Sequence, residues 1–96
     1  MLIIYHREAL REMHIAAQHY EDQSPELGDR FLDAIDDTVA LLMRFPSSGR
    51  DLGDGVRCCP LRRFPFSVVY DLRPDVIVLA AIAHHRRAPG YWRDRL

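Results

Sequence analysis

The spacing of apolar positions changes period twice along this chain. Leu2 to Tyr5 (LIIY) is a short run with β-branched and aromatic content, which predicts a strand. From Arg7 to Asp22 the pattern becomes helical: Ala9, Leu10, Met13, Ala16, Ala17 and Tyr20 share an arc of about 120°. Ile15 falls off that stripe, and His14 and His19 sit on its polar side. Ser24-Pro25-Glu26 then predicts a second helix start, with Ser as N-cap, Pro in the first turn and Glu suited to the macrodipole. This helix should run to Arg44, where Phe45-Pro46 stops it. Leu27, Phe31, Ala34, Ile35, Thr38, Leu41 and Leu42 form its main stripe, and Leu32, Val39 and Met43 widen the apolar arc to about 200°. A helix lying on one surface needs only about half that arc. It therefore either wedges between the first helix and a sheet or presents an apolar shoulder to a partner.

Ser47 to Gly55 (SSGRDLGDG) reads as a loop. The period-2 pattern returns with a strand from Val56 to Leu61, whose Pro60 belongs at an edge. Arg62-Arg63 connects it to a strand from Phe64 to Tyr70, with Phe64, Phe66, Val68 and Tyr70 on one face. Asp71 to Asp75 is a turn, and Val76 to Ala83 (VIVLAAIA) is apolar on both faces, as in a central strand. The expected fold is α+β: an N-terminal strand, an α-helical hairpin, then a three-stranded antiparallel meander, all in one domain over residues 1–96.

Composition adds three constraints. No apolar run is long enough to span a bilayer, and the N-terminal run is too short for a signal peptide, so a cytoplasmic protein with no membrane partner is expected. Cys58 and Cys59 are adjacent, and a disulfide between neighbours on a strand is strained, so reduced structural thiols are expected. No motif of His, Cys and carboxylate has ligand spacing, so the sequence calls for no metal and no cofactor. There is no Gly-rich phosphate loop and no GxSxG serine motif.

The net charge of −1 hides an asymmetry. Residues 1–48 carry four Arg against nine Asp or Glu, a balance of −5; residues 49–96 carry nine Arg against five Asp, a balance of +4. Every basic residue is Arg, a good fork for phosphate or carboxylate but useless as a general base. Arg57, Arg62, Arg63, Arg86 and Arg87, with Arg50 as a possible member, fall where a sheet surface meets solvent. Gathered into one patch beside Tyr91 and Trp92, they would suit a nucleic-acid backbone or an acidic protein surface. The plain alternative is that each pairs locally with Asp51, Asp54 or Asp94. His84 is either a buried hydrogen-bonding residue or a proton carrier.

In element order, and in the segments FPSSGRD, VRCCPLRRFPFSVVY and VLAAIAHHRRAPGYWRDR, the chain resembles the RelE/ParE superfamily of bacterial toxins. The FPFSVVY strand and the H-x-R-x-P-x-Y-W ending are most similar to the ParE branch, often labelled plasmid stabilisation proteins. The resemblance implies the toxin of a type II toxin–antitoxin module, neutralised by a cognate antitoxin that folds on binding. Leu32, Val39 and Met43 would then be antitoxin-binding residues. It implies DNA gyrase as the target, held by Arg57, Arg62, Arg63, Arg86, Arg87, Tyr91 and Trp92 without bond chemistry. The alternative is the RelE activity, metal-free mRNA cleavage on the ribosome, for which Arg57, Arg63, His84, Arg86, Arg87 and Tyr91 would be the catalytic candidates. That branch commonly uses lysines, and here only His84, His85, Tyr91 or a carboxylate is left to accept the 2′-hydroxyl proton.

Overall fold

A computed structural model describes all 96 residues. Strand β1 (Leu2–Tyr5) leads into helix α1 (Arg7–Gln23) and helix α2 (Leu27–Arg44). Four further strands follow: β2 (Arg50–Gly53), β3 (Val56–Pro60), β4 (Phe66–Leu72) and β5 (Val76–His84), and a single 3₁₀ turn (Arg93–Arg95) ends the chain. All five strands form one sheet in the order β1-β5-β4-β3-β2, antiparallel except for the parallel pair β1 and β5. The α+β architecture is thus the expected one, with an additional strand. No helix is long and apolar enough to cross a membrane.

That additional strand corrects the reading of Ser47 to Gly55 as loop throughout. Arg50–Gly53 pairs with β3, and the hairpin closes through Asp54 (φ 56°) and Gly55 (φ 83°). Two successive positive φ values make the mirror-image turn whose twist matches that of the flanking strands, and Asp-Gly is a preferred pair for it. A second correction concerns the helix junction. Ser24 does not cap α2; it is extended, and its N–H donates to the Tyr20 carbonyl at the end of α1. The cap comes instead from α1, where the Glu21 carboxylate accepts from Glu26 N–H at 3.2 Å and Gly28 N–H at 3.1 Å. The helices cross so closely there that a Cβ on Gly28 would lie 2.6 Å from the Ala17 carbonyl oxygen.

The main core lies between the helices and one sheet face. Phe31, Ile35 and Leu42 of α2 meet Val68, Tyr70, Ile77, Leu79 and Ile82, all fully or nearly fully buried. Tyr20, Phe31, Phe64 and Phe66 form an aromatic cluster with centroids 5.0–6.2 Å apart, so the predicted face of β4 is the helix-facing one. Leu32 and Val39 pack against this core from α2's flank, beside Gly28. The wedging reading of the wide apolar arc therefore accounts for them; Met43 remains 41% exposed.

A smaller core on the opposite face explains why β5 is apolar on both sides. There Val56, Val69, Ala80 and Ala81 are covered by Trp92, which the C-terminal tail folds back over the sheet. A bulge helps: Val69 pairs with Ala81 but Tyr70 with Leu79, so Ala80 is an extra residue and the alternation of β5 shifts by one. Leu79 and Ile82, three apart, consequently share the helix-facing core.

Candidate functional site

The tail that carries Trp92 is anchored by one carboxylate. Glu12, at the margin of α1's apolar arc, faces β5 beyond the point where β1 stops pairing at Leu79. Its Oε1 accepts from Ile82 N–H at 3.1 Å and from Arg95 Nη1 at 2.8 Å; its Oε2 accepts from Tyr91 Oη at 2.8 Å and Arg95 Nη2 at 2.9 Å. Arg95 Nη1 also donates to the Ala80 carbonyl at 3.0 Å. Glu12 and Arg95 thus satisfy the backbone edge that β1 leaves open, which would otherwise hold unpaired polar groups. Burial alone would raise the Glu12 pKa, but hydrogen bonds from Arg95, Tyr91 and the Ile82 amide outweigh it and hold the carboxyl below its ordinary value. The same arrangement, by burial and the adjacent carboxylate, pushes the Tyr91 phenol up to about 12.

Once docked, the tail forms one wall of a pocket on the sheet face away from the helices. This pocket has a volume of about 590 Å³. β2 contributes Arg50, β4 contributes Ser67, the end of β5 contributes His84, and the tail contributes Arg87, Tyr91, Trp92 and Arg93. Ser67 Oγ lies 2.9 Å from Nε2 of His85, which also lines the pocket. The Arg87 guanidinium stacks on the Tyr91 ring, 3.8 Å from its centroid, and Arg93 on the Trp92 ring at 4.8 Å. No carboxylate lines the pocket.

The arginines singled out from the sequence do not form one patch. Arg57 alternates with Cys58 on β3 and so faces the helix side, where Nη1 donates to the carbonyls of Ser47 at 3.2 Å and Gly49 at 2.8 Å. It secures the α2–β2 connection beside Tyr70, whose hydroxyl donates to the Pro46 carbonyl at 2.6 Å and accepts from Gly49 N–H at 2.9 Å. Arg62 and Arg63 line a different concavity, a groove of about 780 Å³ between α2 and the β3–β4 connection. Leu27, Ala34 and Leu41 supply its apolar strip, and Arg30, Asp33 and Asp37 its opposite polar wall. Arg86 is exposed and lines neither. Only Arg87, Tyr91 and Trp92 of the seven target-binding candidates reach the pocket, and Trp92 is 5% exposed. The local-pairing alternative also fails: the ion pairs join Arg11 to Glu8, Arg73 to Asp71 and Arg95 to Glu12, leaving the other arginines of the second half without a carboxylate.

Sequence reasoning missed Glu12, Ser67, Arg93 and Arg95. A carboxylate bordering the apolar arc of α1 was a signal for the first; its partner lies 83 positions away and left none.

The residues proposed for RNA cleavage are likewise divided. Arg57 and Arg63 lie on the helix side, whereas His84, Arg87 and Tyr91 border the pocket behind the sheet. Tyr91 is a donor to Glu12 with its pKa at about 12, so it does not offer a base at neutral pH.

A family model described as the ParE toxin of a type II toxin–antitoxin system, parDE, matches residues 3–89. The chain belongs to the ParE toxin family. A solved structure described as a chromosomal ParDE TA system from P. aeruginosa shares the fold, with a TM-score of 0.63 and 23% identity over 88% of this chain and 95% of that one. A comparison with curated proteins finds no match. In this ParE-family chain the match ends at Pro89, so Tyr91, Trp92, Arg93 and Arg95 lie beyond the matched region while forming the tail side of the pocket.

Proposed function

We propose that this ParE-family toxin arrests growth by binding DNA gyrase through the arginine pocket, and that a cognate antitoxin neutralises it from the helix side. The observation that carries the first half is the pocket's charge: Arg50, Arg87 and Arg93 line it and no carboxylate does. These guanidinium groups are exposed and in no ion pair, so they are free to meet an acidic surface on gyrase or DNA that gyrase holds. The groove between α2 and the β3–β4 connection suits the second half. Its Leu27–Ala34–Leu41 strip accepts apolar side chains of an amphipathic segment, and the charged walls fix its orientation. On this reading Leu41 takes the place first given to Leu32 and Val39, which the core already uses, while Met43 is exposed on the other flank.

The test is a supercoiling assay with purified gyrase and the full chain. Wild type inhibits; Arg87→Gln together with Arg93→Gln weakens inhibition about 100-fold, from the loss of two charge-assisted contacts. Primer extension on cellular mRNA after induction shows no codon-positioned cuts. Normal supercoiling with such cuts would falsify the gyrase reading in favour of ribosome-dependent cleavage.

A further inference from the structure

We infer that the pocket behind the sheet is a phosphate-binding site, taking the phosphate of a nucleotide or of a nucleic-acid backbone rather than a single protein carboxylate. The inference deepens the target-face reading and rests on it only for biological use, since the site is defined by its own geometry.

Three features select phosphate. Arg50, Arg87 and Arg93 converge from a β-strand and from the tail on one concavity, and none of them is in an ion pair. That gives three positive charges where a lone protein carboxylate would neutralise one, whereas a phosphoryl group presents several acceptor oxygens and up to two charges. Arg87 and Arg93 lie over the rings of Tyr91 and Trp92, 3.8 Å and 4.8 Å from the centroids, so the aromatic side chains hold both guanidinium groups at the pocket. Gly90 permits this: at φ 75° it carries no side chain, and a Cβ there would stand 3.1 Å from Arg93 Nε. Finally, Ser67 is nearly buried and its hydroxyl, paired with His85, adds an uncharged hydrogen-bonding group to the same pocket. A volume of about 590 Å³ is that of a small-ligand site, larger than one carboxylate needs.

Trp92 is the chain's single tryptophan and lines the pocket, so its fluorescence reports locally on occupancy. The full chain is titrated, with no gyrase present, against inorganic pyrophosphate, ADP, a short single-stranded DNA oligonucleotide and, as the carboxylate competitor, succinate. Saturable change is expected with the phosphate probes and none with succinate at equal concentration. Tightest binding of the oligonucleotide identifies a backbone as the source, and tightest binding of ADP a free nucleotide; either supports the site. Arg87→Gln should weaken binding about tenfold or more, the loss of one charge-assisted contact. Arg44→Gln, with the same charge change at the end of α2, should leave it unchanged. Near-ultraviolet circular dichroism confirms that each variant is folded. No saturable change with any phosphate probe, equal binding of succinate, or equal weakening by Arg44→Gln would overturn the proposal. Because gyrase is absent, phosphate binding with normal supercoiling sinks only the target reading, and gyrase inhibition without phosphate binding sinks only this one.

Discussion

Replacing Glu12 with Ala should cost about 3–5 kcal/mol of folding stability, the usual penalty for stranding one partner of a buried ion pair. Glu12 and Arg95 are 17% and 13% exposed, so solvent takes over their contacts only in part. The substitution leaves the Arg95 guanidinium, the Tyr91 hydroxyl and the Ile82 N–H without their acceptor at once. A small domain has about 5–15 kcal/mol in total, so urea unfolding should show a large fall in midpoint. Glu12→Gln should cost less, since its amide oxygen still accepts from one or two of these donors. The sign of the pH dependence follows. The folded Glu12 pKa lies below its ordinary value, so its contribution is complete above the ordinary carboxylate range and is lost as pH falls through the folded value. Wild-type stability should decline below about pH 4, and the slope should flatten in Glu12→Gln. A variant as stable as wild type, with an unchanged acid slope, would remove the tail anchor from this account.

The second large effect concerns neutralisation. Leu41→Asp should weaken antitoxin binding about 100-fold or more, because it places an unpaired charge in the apolar strip of the groove. Leu41 is 42% exposed in the free chain, so stability should change by less than about 0.5 kcal/mol. The expected phenotype is a toxin that still arrests growth but is no longer rescued by co-expressed antitoxin. Calorimetry on the purified pair measures the affinity. Val39→Asp, by contrast, strikes a side chain packed against the core and should impair folding itself. Full rescue of Leu41→Asp would place the antitoxin elsewhere.

The parts of this fold that could be read from the sequence are those whose pattern is local. Periodicity located both helices, and the double-sided apolar run marked β5 as central, flanked by β1 and β4. β2 was obscured because Leu52 is its one apolar residue, and the Asp54-Gly55 turn that closes its hairpin was absorbed into a Gly-rich loop. Ser24 has the chemistry of an N-cap, but Glu21 reaches across from the preceding helix and supplies the cap instead. Strand parity could have placed Arg57 on the helix side with Cys59, whereas the side taken by Arg62 and Arg63 depends on how a loop turns, with Arg63 at φ 70°. From sequence Trp92 reads as a target-binding residue, since an aromatic residue near a terminus carries no burial signal, yet it is 5% exposed. The packing of Trp92 with Val56, Val69, Ala80 and Ala81, and the bonds of Tyr91 and Arg95 to Glu12, make the tail part of the folded body.

On the proposed function, one body serves two partners from opposite sides of a sheet. Backbone hydrogen exchange of the full chain, alone and with each partner, tests this most directly. Gyrase should slow exchange in Arg50–Leu52 and His84–Arg93, while the antitoxin should slow it in α2 and Cys59–Phe64. Protection of α2 by gyrase, or the same segments protected by both partners, would contradict it.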